Sequence, residues 1–258
     1  MRRLIALLLV LAALGALPAA AQPMPFHGSD AGWSFALTPY FWAAGVNGTV
    51  TTPFERLPRR EVSADFDTVF NDINGFVGML SAEARKDRLA LVGDVVTIAL
   101  GADFASPHNA FFPGGRGDLD LTFATVATMF RVVRDDRFVL DLGAGMRAWW
   151  ASTSLALNSG VLPGRTVGAS ATWADPIVSA RGMLRLSERF SLSAYGDAGG
   201  FGVGSDISWQ VAGTLDWLPA PWVALRAGWR YLVVDRPSQE LSIDVSMSGP
   251  VFAATFRF

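Results

Sequence analysis

The chain of 258 residues has no cysteine, a single lysine (Lys86) and two histidines (His27 and His108). Each shortage excludes a class. Without cysteine there is no disulfide-stapled secreted domain, thiol enzyme, cysteine-ligated zinc site or lipid-anchored lipoprotein. With Arg2 and Arg3 set aside, 19 basic residues face 23 acidic ones, formally -4, which is no nucleic-acid footprint. Beyond the first twenty or so residues no stretch of about 18 apolar residues occurs, so no membrane-spanning helix is expected. Nothing calls for a cofactor or a metal.

What the chain does have is 51% hydrophobic residues, 17% charged residues, nine Trp and eighteen Phe. That fits one domain whose surface need not all face water, and aromatic enrichment is what membrane-interface girdles require. At the start, Arg2 and Arg3 precede the apolar run Leu4 to Leu17 and the small residues Ala19, Ala20 and Ala21. This is the layout of a secretory signal, with cleavage expected after Ala21 and residues 22–258 left as the mature domain.

A period-2 alternation recurs along that domain, as it must where a strand sends successive side chains to opposite faces. Ten segments show it: 33–44, 76–86, 89–100, 118–131, 138–150, 172–186, 190–198, 208–217, 223–233 and 251–258. In the fifth, Phe138, Leu140, Leu142, Ala144, Met146, Ala148 and Trp150 face one way, and Asp141, Gly143, Gly145 and Arg147 the other. In the fourth, the same rule puts Leu119, Leu121, Phe123 and Ala127 on the apolar face and Asp118, Asp120, Thr122 and Thr128 on the polar one. A soluble sandwich would alternate too. Segments of ten or more residues, however, suit a tilted strand crossing a bilayer. Connections also alternate between tight (Lys86-Asp87, Asp135-Asp136, Ser187-Glu188, Leu218 to Pro221) and long (45–75, 104–117, 152–171, 202–207, 234–248). The expected fold is therefore all-β: an antiparallel up-and-down transmembrane barrel of ten strands, with the long segments as extracellular loops.

The closing Val251-Phe252-Ala253-Ala254-Thr255-Phe256-Arg257-Phe258 resembles the last strand of bacterial outer-membrane β-barrel families. That resemblance implies residence in outer-membrane lipid and reading of Phe256 and Phe258 by the barrel assembly machinery. Thr38-Pro39-Tyr40-Phe41-Trp42-Ala43-Ala44-Gly45-Val46-Asn47-Gly48-Thr49, with Glu83-Ala84-Arg85 and Gly93-Asp94, resembles a group of uncharacterised proteobacterial outer-membrane proteins. It brings no activity with it.

The polar faces carry Glu83, Asp94, Asp141, Asp175, Asp197 and Asp216 with Arg85, Arg147, Arg181, Arg185, Arg226, Arg230 and Arg257. They are expected in the lumen, either as the selectivity lining of a narrow pore or as ion pairs that fill it. Six acids against seven arginines are nearly balanced, which favours pairing over a field for one sign of solute. In the first long connection, Val46-Asn47-Gly48-Thr49 reads as a tight turn. A hairpin of Thr49–Thr52 with Glu61–Asp65 would rise above the membrane or bring the strands to twelve. After it, Phe66, Val69, Phe70 and Ile73 share one face of a short helix that could plug the lumen or rest on its rim. An outer-membrane hydrolase acting on lipid or peptide is the competing class; only His108, with Asp103 or Asp118 to orient it, could serve as its base, and no hydrolase motif surrounds it. No catalytic residue is assigned. The expected role is structural, surface-directed or that of a narrow pore.

Overall fold

The computed structural model describes residues 32–51, 60–64, 78–105, 111–239 and 241–258, so the expected leader, the expected helix face at 66–73 and His108 lie outside the described residues. Among the described residues twelve strands run in chain order: β1 (Trp33–Trp42), β2 (Gly45–Thr51), β3 (Arg60–Ala64), β4 (Gly78–Lys86), β5 (Leu89–Ala105) and β6 (Gly114–Arg134). They continue as β7 (Phe138–Leu157), β8 (Arg165–Arg185), β9 (Phe190–Gly200), β10 (Ile207–Ala220), β11 (Val223–Arg236) and β12 (Ser242–Arg257).

Ten of these close a barrel. Strands β1 and β4 to β12 each pair antiparallel with the next, and β12 returns to β1 with Leu37 opposite Phe256 and Trp42 opposite Val251. Strand β2 prolongs β1 along the same partner, Gly45 opposite Ser248, and β3 is an extra strand on β2 with Thr49 opposite Glu61. The hairpin foreseen at Thr49 is present, but Asn47-Gly48 just before it is not a turn. Those residues lie inside β2, opposite Ser246 and Val245. A Cβ on Gly48 would run into the backbone of Asp244 and Val245, so glycine is there for close strand approach rather than for a turn.

Tight connections gather at one end: Asp87-Arg88, Asp135 to Arg137, Leu186 to Arg189 and Pro221-Trp222, as expected. At the other end the structure corrects the sequence reading. All of 45–51, most of 152–171 and 234–248, and both ends of 104–117 (104–105 and 114–117) are strand, so β6, β7 and β8 reach 21, 20 and 21 residues. Their period escapes a search for apolar outward faces because the outward residues there are Ser152, Ser154, Ser170 and Thr172, while Leu155, Ala171, Ile243, Val245 and Met247 point in.

The barrel thus has two zones. From Phe138 to Trp150 of β7 the outward side chains Leu142, Met146 and Trp150 are about half exposed, as are Leu91, Val126, Val178, Leu192, Val211, Leu225 and Phe252 around the wall. Thirteen residues at about 3.3 Å each, tilted roughly 45°, give an apolar belt about 30 Å tall, the thickness of a bilayer core. Above it the wall parts into two sheets. Among the described residues, β8 has β9 beside it only from Ile177 down, and β5 has β4 beside it only from Thr97 down. The upper β5–β6–β7–β8 sheet faces the upper β11–β12–β2–β3 sheet across one apolar core.

Candidate functional site

The interior is built in layers. Next to the tight turns, Asp141 of β7 gathers three arginines: Arg85 Nη2 donates to Oδ2 at 2.6 Å, Arg181 Nη2 at 2.8 Å, and Arg131 Nε donates to Oδ1 at 2.8 Å. Glu83 closes the ring, accepting from Arg85 Nε at 2.8 Å and Arg181 Nη1 at 2.6 Å. Asp141 is only 1% exposed. A carboxylate this buried is tolerable because each of its oxygens is met by a guanidinium, and removing one partner would strand charge in a place water does not reach.

One layer up, Arg147 is fully buried and donates to Asp197 Oδ2 at 2.5 Å, Thr125 Oγ1 at 3.1 Å and Ser208 Oγ at 3.1 Å. Asp197 also accepts from Tyr195 at 2.8 Å and Gln210 at 2.6 Å. Gln210 in turn accepts from Arg230 Nε at 2.8 Å, and Arg230 reaches Tyr40 at 2.8 Å and Asp94 at 3.2 Å. This chain of donors spans the lumen from β7 to β1. Its ceiling is aromatic: the Arg230 guanidinium lies 4.8 Å from the Trp42 ring and 5.6 Å from Phe123, and Arg147 5.8 Å from Trp149. Cation–π attraction therefore joins the charged layer to the apolar core above it.

That core continues upward through the stacked rings of Trp149 and Trp173, 5.6 Å apart, into Ile98, Leu121, Val46, Ile243, Val245 and Met247. A gap among the last of these residues measures about 20 Å³, room for little more than one water and lined only by apolar side chains.

Most of the residues expected in the lumen are there and paired: Glu83, Arg85, Asp141 and Arg181 in the lower ring, Asp94, Arg147, Asp197 and Arg230 in the upper one. Asp216 accepts from Ser193 at 2.5 Å and Thr214 at 2.6 Å, with Arg226 farther off at 3.7 Å. Arg185 and Arg257 sit at the tight-turn ends of β8 and β12, beside β9 and β1 respectively. Asp175 departs from the expected ion pairing. It is fully buried but met by neutral donors, namely the Trp149 indole at 2.8 Å and the Ser205 backbone N–H and hydroxyl at 2.7 and 2.9 Å. It pins the β9–β10 loop to the wall instead of balancing an arginine.

Strand β6 is the clearest correction. Leu121, Phe123 and Ala127, expected on the lipid side, are inward and buried, while Asp118 and Asp120 point out. The upper half of β6 stands in water, so its apolar face turns in; that half set the assignment for the whole strand. The same inversion hid Arg131, whose place on the odd-numbered face made it seem outward, and Arg236, read as loop, whose guanidinium lies 4.6 Å from the Trp173 ring. Extending the odd-numbered column of β6 downward from Phe123 would have found Arg131.

No family model matches the chain, and no curated protein matches it in sequence. Solved structures do. The outer membrane protease OmpT from Escherichia coli aligns over 89% of this chain and 98% of its own, with a TM-score of 0.57 at 10% identity. Its likeness, with the closed wall, apolar belt and tight-turn end, decides the architecture. The fold is that of a bacterial outer-membrane β-barrel. Ail of Yersinia pestis (TM-score 0.37, 15% identity, 88% of this chain and 99% of that one) and Neisserial surface protein A (0.39, 14%, 88% and 99%) also match, more loosely. At these identities the likeness concerns the fold alone. In an outer-membrane barrel the tight turns are periplasmic and the long ends extracellular, so the charged layers lie within the membrane and the apolar core forms an extracellular head. On that head Arg116 reaches both Asp103, at 3.6 Å, and Asp118, at 2.9 Å, the two acids that would have had to orient a base.

Proposed function

We propose that this chain is an integral outer-membrane protein with a closed lumen and a structural, surface-directed role: the belt anchors, the paired interior seals, and the two-sheet head meets the outside. One observation carries the reading. Among the described residues, the lumen holds two ion-paired layers capped by a buried apolar core, contents that oppose the passage of a hydrated ion. The narrow-pore alternative needs an open, charged passage, and the hydrolase alternative needs free acids beside a base, whereas Asp103 and Asp118 share Arg116. Export through the amino-terminal leader, assembly through Phe256 and Phe258, and kinship with the proteobacterial group belong to the same proposal. The closing strand suits it, because β12 completes the wall against β1.

The test is single-channel recording of the refolded protein in a planar bilayer, with a heat-modifiability gel to certify folding. A folded protein without steady conductance is the expected result. Steady, ion-selective conductance would overturn the closed-lumen reading.

A further inference from the structure

On the bilayer-facing side of β4 the outward column runs Leu80, Ala82, Ala84, Lys86. Its neighbours on β1 are Pro39, Leu37, Phe35 and Trp33, and on β5 they are Val95, Gly93, Leu91 and Leu89. Two successive small residues, Ala82 and Gly93, therefore lie between Leu37 and Val126 of β6 in a single register line. The result is a groove of about 510 Å³, walled by Phe35, Leu37, Leu91, Val126 and Phe258. A Cβ added to Gly93 would meet nothing within 4 Å, so the space is not demanded by packing.

One outward register row beyond the groove stands a cation. Lys86, the chain's only lysine, stands on the same column two residues beyond Ala84, at the periplasmic rim, with its ammonium 5.9 Å from the Trp33 ring. The adjacent Asp87 is engaged by Arg134 at 3.1 Å. From Lys86 to Leu80 is about 20 Å along the strand, or roughly 14 Å of depth at a tilt near 45°, which is one leaflet of a bilayer core about 30 Å thick. An apolar groove on that column, within one leaflet's depth of a basic group at headgroup level, matches one class of ligand. We propose that this face holds a single phospholipid of the periplasmic leaflet, with one acyl chain in the groove over Ala82, Ala84 and Gly93 and its phosphate on Lys86. A second outward groove, about 660 Å³ beside Leu215, Leu225, Ala227, Phe252 and Ala254, supplies the control, since its outward side chains are all apolar.

The experiment is native mass spectrometry of the refolded barrel in detergent, titrated with dioleoyl phosphatidylglycerol or with dioleoylglycerol, which has the same chains and no phosphate. One phosphatidylglycerol should bind in preference to dioleoylglycerol. Lys86→Ala should weaken it about fivefold, the share of one basic residue at an anionic headgroup, and Lys86→Arg should restore it. Ala82→Leu with Gly93→Leu should abolish it, whereas Ala227→Leu with Ala254→Leu should leave it unchanged. Equal retention of the two lipids, indifference to Lys86→Ala, or equal loss from both filled grooves would overturn the site and leave only unselective annular lipid.

Discussion

The same strands pass through two zones that solve opposite problems. Low on β7, Leu142 and Met146 face out and Asp141 and Arg147 face in; high on the same strand, Ser152 and Ser154 face out and Trp149, Ala151 and Leu155 face in. Strand β6 does likewise, passing from outward Val126 and Phe130 to outward Asp118 and Asp120. The direction of each of these columns is fixed by parity and holds from one zone to the other. What changes is the medium outside: hydrocarbon admits only apolar side chains, while water leaves the apolar ones to be buried. Interior chemistry follows. Where lipid takes the apolar residues, the lumen is filled with charges that must neutralise one another; where water surrounds the wall, the interior is an ordinary hydrophobic core.

Breaking the lower zone from inside should have the largest effect. Asp141→Ala leaves Arg85, Arg131 and Arg181 with Glu83 alone, so an excess of buried positive charge remains. The expected loss is about 3–5 kcal/mol, the cost of removing one partner from a buried pair. It would be read from urea unfolding of the barrel in vesicles by tryptophan fluorescence. Breaking it from outside should cost somewhat less: Leu142→Arg, about half exposed to lipid in mid-belt, should lose about 2–4 kcal/mol in the same assay. At the junction of the zones, Trp149→Phe keeps the ring stack on Trp173 but removes the indole donor to the buried Asp175. A loss of about 1.5–3 kcal/mol is expected, as for a hydrogen bond to a charged group. The same variant should raise proteolytic nicking of the β9–β10 loop that Asp175 anchors through Ser205.

Legibility in the sequence divided along the same line. In the membrane zone each of the ten segments contained its alternation, and nine of them were assigned the right face, because outward Leu, Val and Phe against inward Arg and Asp leave no ambiguity. Tight turns at Lys86-Asp87 or Ser187-Glu188 then set the parity, and the carboxylates and arginines of the lumen followed from it. In the head the same alternation runs the other way round. The rule "apolar means lipid" therefore misplaced Leu121 and Phe123, lost Arg131, and took 152–171 and 234–248 for loops. The aromatic ceiling of Trp42, Phe123, Trp149 and Trp173 was not legible at all. It joins four strands that only the closed register brings together, and no spacing along the chain encodes which tryptophan meets which arginine.

The smallest effect should come from placing in the head the charge that damages the belt. Ser170 of β8 is exposed, outward and paired with Ser152 of β7, ten residues along β8 from Ala180, the partner of Leu142. Ser170→Arg puts a guanidinium where the wall faces water, with no desolvation to overcome and no buried partner to displace. Its change in unfolding free energy should lie within about 0.5 kcal/mol, as for an ordinary surface substitution. Leu142→Arg and Ser170→Arg thus add the same side chain to outward positions of neighbouring strands. A similar loss at both would mean that Ser170 also lies in hydrocarbon and that the belt is taller than the run from Phe138 to Trp150. A similar silence at both would mean that neither does, and the bilayer would have to be placed elsewhere on the wall.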